Sequence, residues 1–382
     1  MSVSVGDENG KARSVGKIYI GDENGKARKV ASGVEVEPLN VDSNGTYTAE
    51  EGTAYSPVVV DISSEQLEAT ANGTYTPPSG KLYSGVTVNV PRNEIFSFIY
   101  QGSDPFTVSG NATVQCGSQS VEVNGSNQSV SFNCQIPTRI TIAGSIANID
   151  FINCSSLIKV ELPLPKITLV AGVFYGCTSL TEIPQNLFDN NTDKTNFANC
   201  FVNCTSLTAI PSGLFDNCIA ATNIMDCFSG CTSLTAIPNG LFDNCPDVVY
   251  FSRIFNQCTS LTAIPSGLFD NCVAVTDFSN VFAQCTSLTA IPSGLFDNCV
   301  AATRFSYGFD HCTSLTAIPS GLFDNCPDVI SFQGTFYQCT SLTGLAPNLW
   351  DTTKWAAVTM HINCFNGCTG LTNYTDIPRD WK

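Results

Sequence analysis

Positive charge is what this chain has least of. Its 382 residues hold 17 Lys and Arg against 33 Asp and Glu, a formal net charge of −16. Such a balance repels phosphate backbones and argues against a nucleic-acid partner. Charge of either sign is sparse at 13%, while 43% of residues are apolar, enough for a packed core and too many for disorder. Histidine occurs twice, and neither a C-x-x-C pair nor a histidine pair at metal spacing is present, which leaves no zinc motif. A Gly-rich phosphate loop and a nucleophile elbow are also missing. Paired carboxylates do occur, but nothing in the sequence would hold one protonated beside the other. The expectation is a non-enzymatic protein with no catalytic residue, no metal and no cofactor. No apolar run approaches the roughly 18 residues of a membrane span. Residues 1–15 lack the apolar centre of a secretory leader. Neither membrane insertion nor export by a signal peptide is expected.

What the chain has in abundance is repetition. The phrase CTSLTAIPSGLFDNC, with small variations, returns every 27 residues, its first cysteine at Cys177, Cys204, Cys231, Cys258, Cys285, Cys312 and Cys339. Strict spacing of this kind marks one structural unit stacked on copies of itself, a solenoid. Identical positions then form columns. Phe174, Phe201, Phe228, Phe255, Phe282, Phe309 and Phe336 sit three residues before the ladder cysteines, and leucines from Leu180 to Leu342 sit three after. The 19 cysteines are odd in number and periodic. Stacked parallel side chains are poorly oriented for disulfides, so the reading is of buried, reduced core thiols, in keeping with folding in a reducing cytoplasm.

Each unit divides into two similar halves, SLTAIPSGLFDNC and, in one copy, VAVTDFSNVFAQC. Both show a short β-prone stretch, a polar break and a turn too short for an independent helix. The prolines at 184, 211, 238, 265, 292 and 319 are expected to end the strand. The expected fold class is mainly β with short helical turns: small N-terminal β-modules followed by a leucine-rich-repeat-like solenoid of 27-residue units. The pattern F-x-x-C-T-S-L-T-x-I-P resembles the BspA-type leucine-rich repeat of bacterial surface proteins over roughly residues 138–382. That resemblance implies a curved coil of strand and short helical turn, here with a longer unit than usual. Residues 138–165 read as a degenerate first coil. Trp350, Trp355 and Trp381 read as closing the far end of the core.

The N-terminal third differs in texture. VGDENGKARSV is followed by IGDENGKARKV, and Asn-Gly between β-formers signals hairpins. A second duplication, NGTYTAEEGTAYSPVVVDIS and NGTYTPPSGKLYSGVTVNVP, aligns Tyr47 with Tyr75 and Tyr55 with Tyr83. The expected organisation is residues 1–37 as hairpin repeats for virion attachment, 38–91 as tandem small β-modules, 92–137 as a β-rich connector and 138–382 as the capped solenoid. The motifs in residues 1–91 are similar to N-terminal segments of bacteriophage and prophage tail proteins. This resemblance implies a virion tail component that is assembled in the host cytoplasm and released by lysis.

Comparison among repeats separates scaffold from variable surface. Eight residues before the ladder cysteine stand Asn196, Asn223, Tyr250, Asp277, Arg304 and Ser331. The equivalent place in the other half is Ala209, Ala236, Ala263, Ala290 and Ala317. Five residues before the cysteine stand Asn199, Asp226, Arg253, Asn280, Tyr307 and Gly334. Stacking would display these as two adjacent stripes, and solenoids bind through such faces. Tyr250, Arg253, Asp277, Asn280, Arg304 and Tyr307 are the candidate binding residues, Tyr and Arg being enriched in hot spots. The alternative is drift at exposed positions with no partner. The Asp189, Asp216, Asp243, Asp270, Asp297 and Asp324 ladder reads as turn capping, with a calcium site as the minor alternative.

The function expected from residues and resemblances together is a phage tail structural protein whose solenoid recognises or adheres to a host surface. Its partners would be other tail proteins through the N-terminal modules and a host-surface glycan or protein, with copies of itself as a further option. A BspA-type adhesin at the bacterial cell surface and a purely structural tail-tip subunit are the alternatives.

Overall fold

The computed structural model describes residues 96–382 and, before them, only the backbone of short strands. One pair of these, Ile20–Gly21 with Lys26–Arg28, runs antiparallel across the second Asn-Gly. Ser2–Ser4 pairs with both Thr46–Thr48 and Val86–Val88, and Val58–Ile62 with Glu65–Ala69. Beyond such short strands, the expected modules at 1–37 and 38–91 lie outside the described residues. The chain forms two compact units: residues 1–96 with 112–114 and 141–145, and residues 97–111, 115–140 and 146–382. The repeats belong to the second.

Five strands precede the repeats in one sheet, in the order Gln119–Val130, Phe106–Cys116, Cys134–Asp150, Phe96–Gly102 and Leu157–Val160. The expected boundary at 137/138 falls inside the 17-residue strand Cys134–Asp150. Apolar residues alternate along these strands, and Phe98, Phe106, Ile140, Ile142 and Val160 are buried, as a sheet with one packed face requires. Phe98 and Phe106 meet Phe151, and Phe151 stacks on Phe174 at 5.6 Å. The sheet core thus runs on into the repeat core.

From Phe151 a column of phenyl rings continues through Phe174, Phe201, Phe228, Phe255, Phe282, Phe309, Phe336 and Phe365. Centroids are 5.3–5.7 Å apart and planes lie within 20° of parallel. The Phe-Asp-Asn halves supply a second column, Phe188 to Phe323, at 5.7–6.3 Å. A third, Phe251, Phe278, Phe305 and Phe332, meets the second at steep angles, as in Phe296–Phe305 at 4.8 Å and 62°. Each buried phenyl contributes about 1.5–3 kcal/mol of transfer free energy, and edge-to-face pairs add about 0.5–1.5 kcal/mol.

All 19 cysteines are free and buried. Cys204, Cys231, Cys258, Cys285 and Cys312 each donate the thiol to the carbonyl oxygen of a phenylalanine 30 residues earlier, at 3.2–3.3 Å. That same oxygen accepts a backbone N–H within its own coil, as when Phe201 O takes Cys204 N. Both lone pairs are therefore used. A small apolar side chain carrying one weak donor is what the position demands.

Units of 27 residues do stack in register, but not as strands. Parallel bridges join Asn196, Asn223, Tyr250, Asp277, Arg304, Ser331 and Met360 in succession, one residue per coil. The LTAI stretch, expected to be a strand, forms no ladder. Its coil-to-coil backbone bonds are single and long, 3.3 Å from Thr262 N to Thr235 O and 3.3 Å from Thr289 N to Thr262 O, and a proline without N–H follows shortly after. Nor are the turns helical. Among the described residues the helices are two 3-10 turns near the C-terminus, Tyr374–Asp376 and Arg379–Trp381. The fold is mainly β with almost no helix. At the far end Trp350 meets Phe365 edge-on, Trp355 packs against Phe332 at 5.2 Å, and Trp381 stacks on His361 at 4.6 Å.

Candidate functional site

The variable half of each unit holds the coils together through its backbone. In the coil ending at Cys285, Phe278, Asn280, Phe282 and Gln284 donate their N–H groups to Arg304, Ser306, Gly308 and Asp310 of the next coil, at 2.6–2.9 Å. Every second residue donates forward. Two residues of each such coil, five and one before the ladder cysteine, take left-handed backbone conformations. Asn199, Asp226, Arg253, Asn280, Tyr307 and Gly334 have φ of 55–60°, as do Asn203, Gln257, Gln284 and His311 within 54–60°. This geometry forbids strand while keeping the rungs. It also favours Asn, Asp and Gly, which visit the left-handed region at least cost.

Five residues before the cysteine, Asn199, Asp226, Asn280 and Gly334 obey that preference, and Arg253 and Tyr307 do not. A positive φ is costly for a residue as bulky as Tyr. The bridge column eight residues before the cysteine has a rule of its own. Asn196, Asn223 and Asp277 accept the backbone N–H two residues on, at 3.0, 3.0 and 2.8 Å, and Ser331 does so at 3.3 Å. Tyr250 and Arg304 have no such acceptor and forgo the bond. Four of the six candidates thus replace a locally favoured scaffold residue with a large one.

Their surroundings differ. Tyr250 is 46% exposed, and Arg253 and Arg304 are exposed, while Asp277, Asn280 and Tyr307 are half-buried. Bridges make Tyr250 and Arg304 the immediate neighbours of Asp277 on either side. Arg253 turns to the preceding coil and grips Asp226 with two bonds, 2.8 and 2.9 Å. That hydrogen bonding holds its guanidinium above the usual arginine value, against partial burial and with Asp277 assisting. Tyr307 accepts a bond from Gln333 Nε2 at 3.0 Å. Its ring lies over Gly334, where any Cβ would collide with it. Between residues 195 and 353 the only Lys or Arg side chains are Arg253 and Arg304. Both lie on these stripes.

Sequence reasoning missed the partners Asp226, Gln333 and Gly334 and the left-handed backbone. The one available signal was the mixture of Asn, Asp and Gly with bulky residues at a single repeat position. The column next to the cysteine, Gln257, Gln284, His311 and Gln338, reads from the sequence as exposed polar residues; what the sequence does not show is that His311 bonds Asp310 at 2.7 Å. Burial pushes the Asp310 carboxyl up, with His311 opposing. The Asp ladder sits beside the constant turns: Asp216, Asp243 and Asp270 place carboxylate oxygens against Gly213, Gly240 and Gly267. No cluster of three or more metal-ligating side chains occurs among the described residues. No helix among them is long and apolar enough to cross a membrane.

No curated protein matches the chain. Among solved structures, a leucine rich cell surface protein from Faecalibacterium prausnitzii A2-165 is 21% identical, with 59% of this chain and 77% of that one covered and a TM-score of 0.25. A TLR13–ssRNA13 complex is 10% identical, with 56% and 46% covered and a TM-score of 0.15. The BspA type leucine rich repeat region matches residues 144–334 in 6 copies. With half of its length matched and the phenylalanine, leucine and cysteine columns buried in register, the chain belongs to the BspA-type leucine-rich repeat family.

Proposed function

We propose that this protein is a non-enzymatic adhesin of the bacterial surface, binding its partner through the variable half of the repeats between Tyr250 and Tyr307. The observation that carries this is the replacement of capping and left-handed-tolerant residues by Tyr250, Arg253, Arg304 and Tyr307. Drift under stability alone favours Asn, Asp or Gly at such places, because each departure costs local free energy. The departures fall as two pairs in alternate coils, on either side of the coil of Asp277, and put Tyr and Arg, the residue types richest in binding energy, on an outward face.

Family membership supports the surface-adhesin reading over the phage-tail one, whose motifs lie in residues 1–91. Binding is by rigid display, in which stacked coils fix the spacing of the side chains and several weak contacts act together. Catalysis, a cofactor and nucleic acid have no part in this reading. The partner is a glycan or protein of a cell surface.

The test is retention of the labelled full-length chain on a panel of whole bacterial cells and mammalian epithelial cells. Wild type is expected to be retained on at least one, and Tyr250→Ala/Arg304→Ala to lose most of that retention with an unchanged melting temperature. Retention on none, or equal retention of the variant, overturns the reading.

A further inference from the structure

Resting on that reading, we infer that the face between Asp226 and Tyr307 is a site for a neutral, extended polysaccharide, with successive coils addressing successive sugar units. Read coil by coil, the face alternates. Asp226 is followed by Tyr250 with Arg253, then Asp277, then Arg304 with Tyr307. The guanidinium is donor-only and the carboxylate acceptor-only; with both Asp226 oxygens engaged by Arg253, the face offers a partner the rest of the Arg253 fork, then the Asp277 carboxylate, then Arg304. Bridged neighbours lie about 4.7–4.9 Å apart, close to the advance of one pyranose in an extended glycan. Two coils on, a ring and a guanidinium return with their columns exchanged, Tyr250 and Arg304 in one and Arg253 and Tyr307 in the other, so alternate coils carry the same pair of groups, as a disaccharide repeat does. Sugar hydroxyls both donate and accept, and they satisfy such an alternation where a partner of one charge does not.

Charge narrows the choice further. An acidic polymer meets Asp277 within a chain of net charge −16, the Asp226 charge being paired with Arg253. A basic peptide is drawn by that net charge but meets, on this face, the two arginines of the central repeats. Bridge-column backbone groups are engaged by the preceding coil and the residues beside them by the following one, as with Arg304 O and Phe305 N, so no open edge invites an added peptide strand. The tyrosines supply what remains. Tyr250 is 46% exposed, and the Tyr307 ring packs against Gly334 with its hydroxyl held by Gln333. A ring fixed in this way presents a π-face to the C–H face of a sugar without further ordering.

The experiment is affinity electrophoresis of the full-length chain through gels holding yeast mannan, xyloglucan or mixed-linkage β-glucan, with polygalacturonate and poly-lysine as charged probes. At least one neutral polymer is expected to retard the chain, undiminished at roughly 1 M salt, where the screening length is about 3 Å. Tyr250→Ala and Tyr307→Ala are each expected to weaken binding about tenfold. Arg304→Lys should lose as much as Arg304→Ala, because it keeps the charge and loses the planar fork. Retardation by the charged probes alone, by no polymer, or at full strength in Arg304→Lys overturns the inference. Cells treated with periodate, which cleaves vicinal diols, separate the two proposals. If they still retain wild type but not Tyr250→Ala/Arg304→Ala, the glycan inference falls and the binding face stands. If the variant is retained as well as wild type on untreated cells, both fall.

Discussion

The two halves of each repeat hold the array together by different means. In the constant half, SLTAIPSGLFDNC, coils touch through side chains, and coil-to-coil backbone bonds are few and long, as from Thr262 N to Thr235 O at 3.3 Å. In the variable half the backbone itself makes the connection, with four forward bonds of 2.6–2.9 Å from the coil ending at Cys285. Close packing keeps the phenyl columns of both halves constant; the constant half has little else to join its coils, while the variable half changes at the residues around its phenylalanines. A backbone rung asks nothing of the side chain beyond a tolerable φ. The half that contributes most hydrogen bonding is therefore the half free to vary outward, and display is built on it without loosening the core.

The sharpest way to break that comparison is to attack what both halves share, the buried thiols. Cys231 and Cys368 lie in one ladder and Cys245 and Cys326 in the other, and burial pushes all four up to about 12. An unfolded thiol ionises near 9. Between those values the unfolded chain has lost protons that the folded chain keeps, so stability falls as pH rises. Each such thiol contributes about 1.4 kcal/mol of loss per pH unit. Melting temperature should be flat from about pH 6 to 8 and drop steeply above about pH 9, with both halves lost in one transition. Survival to about pH 11 would mean that the thiols are not inside.

Next in size is a single column. Phe282→Ala opens a cavity between Phe255 and Phe309, which lie 5.6 and 5.7 Å from it, and should cost about 3–5 kcal/mol in denaturant titration. Tyr250→Ala, on the outward side, should change stability by no more than about 0.5 kcal/mol. Comparable losses from the two would erase the distinction between packing and display.

Much of this is legible in the sequence alone. The 27-residue period fixed which side chains stack, because identical residues in identical register need identical surroundings. Phe201, Phe228 and Cys258 are fully buried as that argument requires. The absent strands were not legible. Alternating apolar residues in LTAI read as β, and only the coil geometry reveals that a proline and a glycine turn leave room for one weak rung. The left-handed positions hid in a mixed column, since Arg253 and Tyr307 mask the preference that Asn199, Asn280 and Gly334 show. The candidate residues could be chosen by type. Their anchoring by Asp226, Gln333 and Gly334 comes from neighbouring coils and has no signature in a single repeat. The sheet at residues 96–160 has no period to announce it, and its longest strand crosses the place where composition pointed to a boundary.

The smallest effect is the most discriminating, because both halves impose a left-handed residue and differ in what surrounds it. In the constant half it is Gly267, φ 74°, where a Cβ would lie 2.9 Å from Asp270 Oδ2. In the variable half it is Gln284, φ 60°, whose side chain is exposed. Gly267→Ala adds the left-handed penalty of about 1–2 kcal/mol and must also displace the carboxylate, so its denaturation midpoint should fall. Gln284→Gly removes the same penalty at a site held by the 2.6 Å bond from its N–H to Asp310 O, a bond that needs no side chain. Greater freedom of glycine in the unfolded chain offsets part of the gain, so the midpoint should rise by the equivalent of less than about 1 kcal/mol. Opposite signs from the two substitutions would show that one half spends its conformational freedom on packing and the other on carrying side chains outward. A loss of stability in Gln284→Gly would mean that the exposed glutamine is part of the scaffold, and the column beside the ladder cysteine would no longer count as surface free to vary.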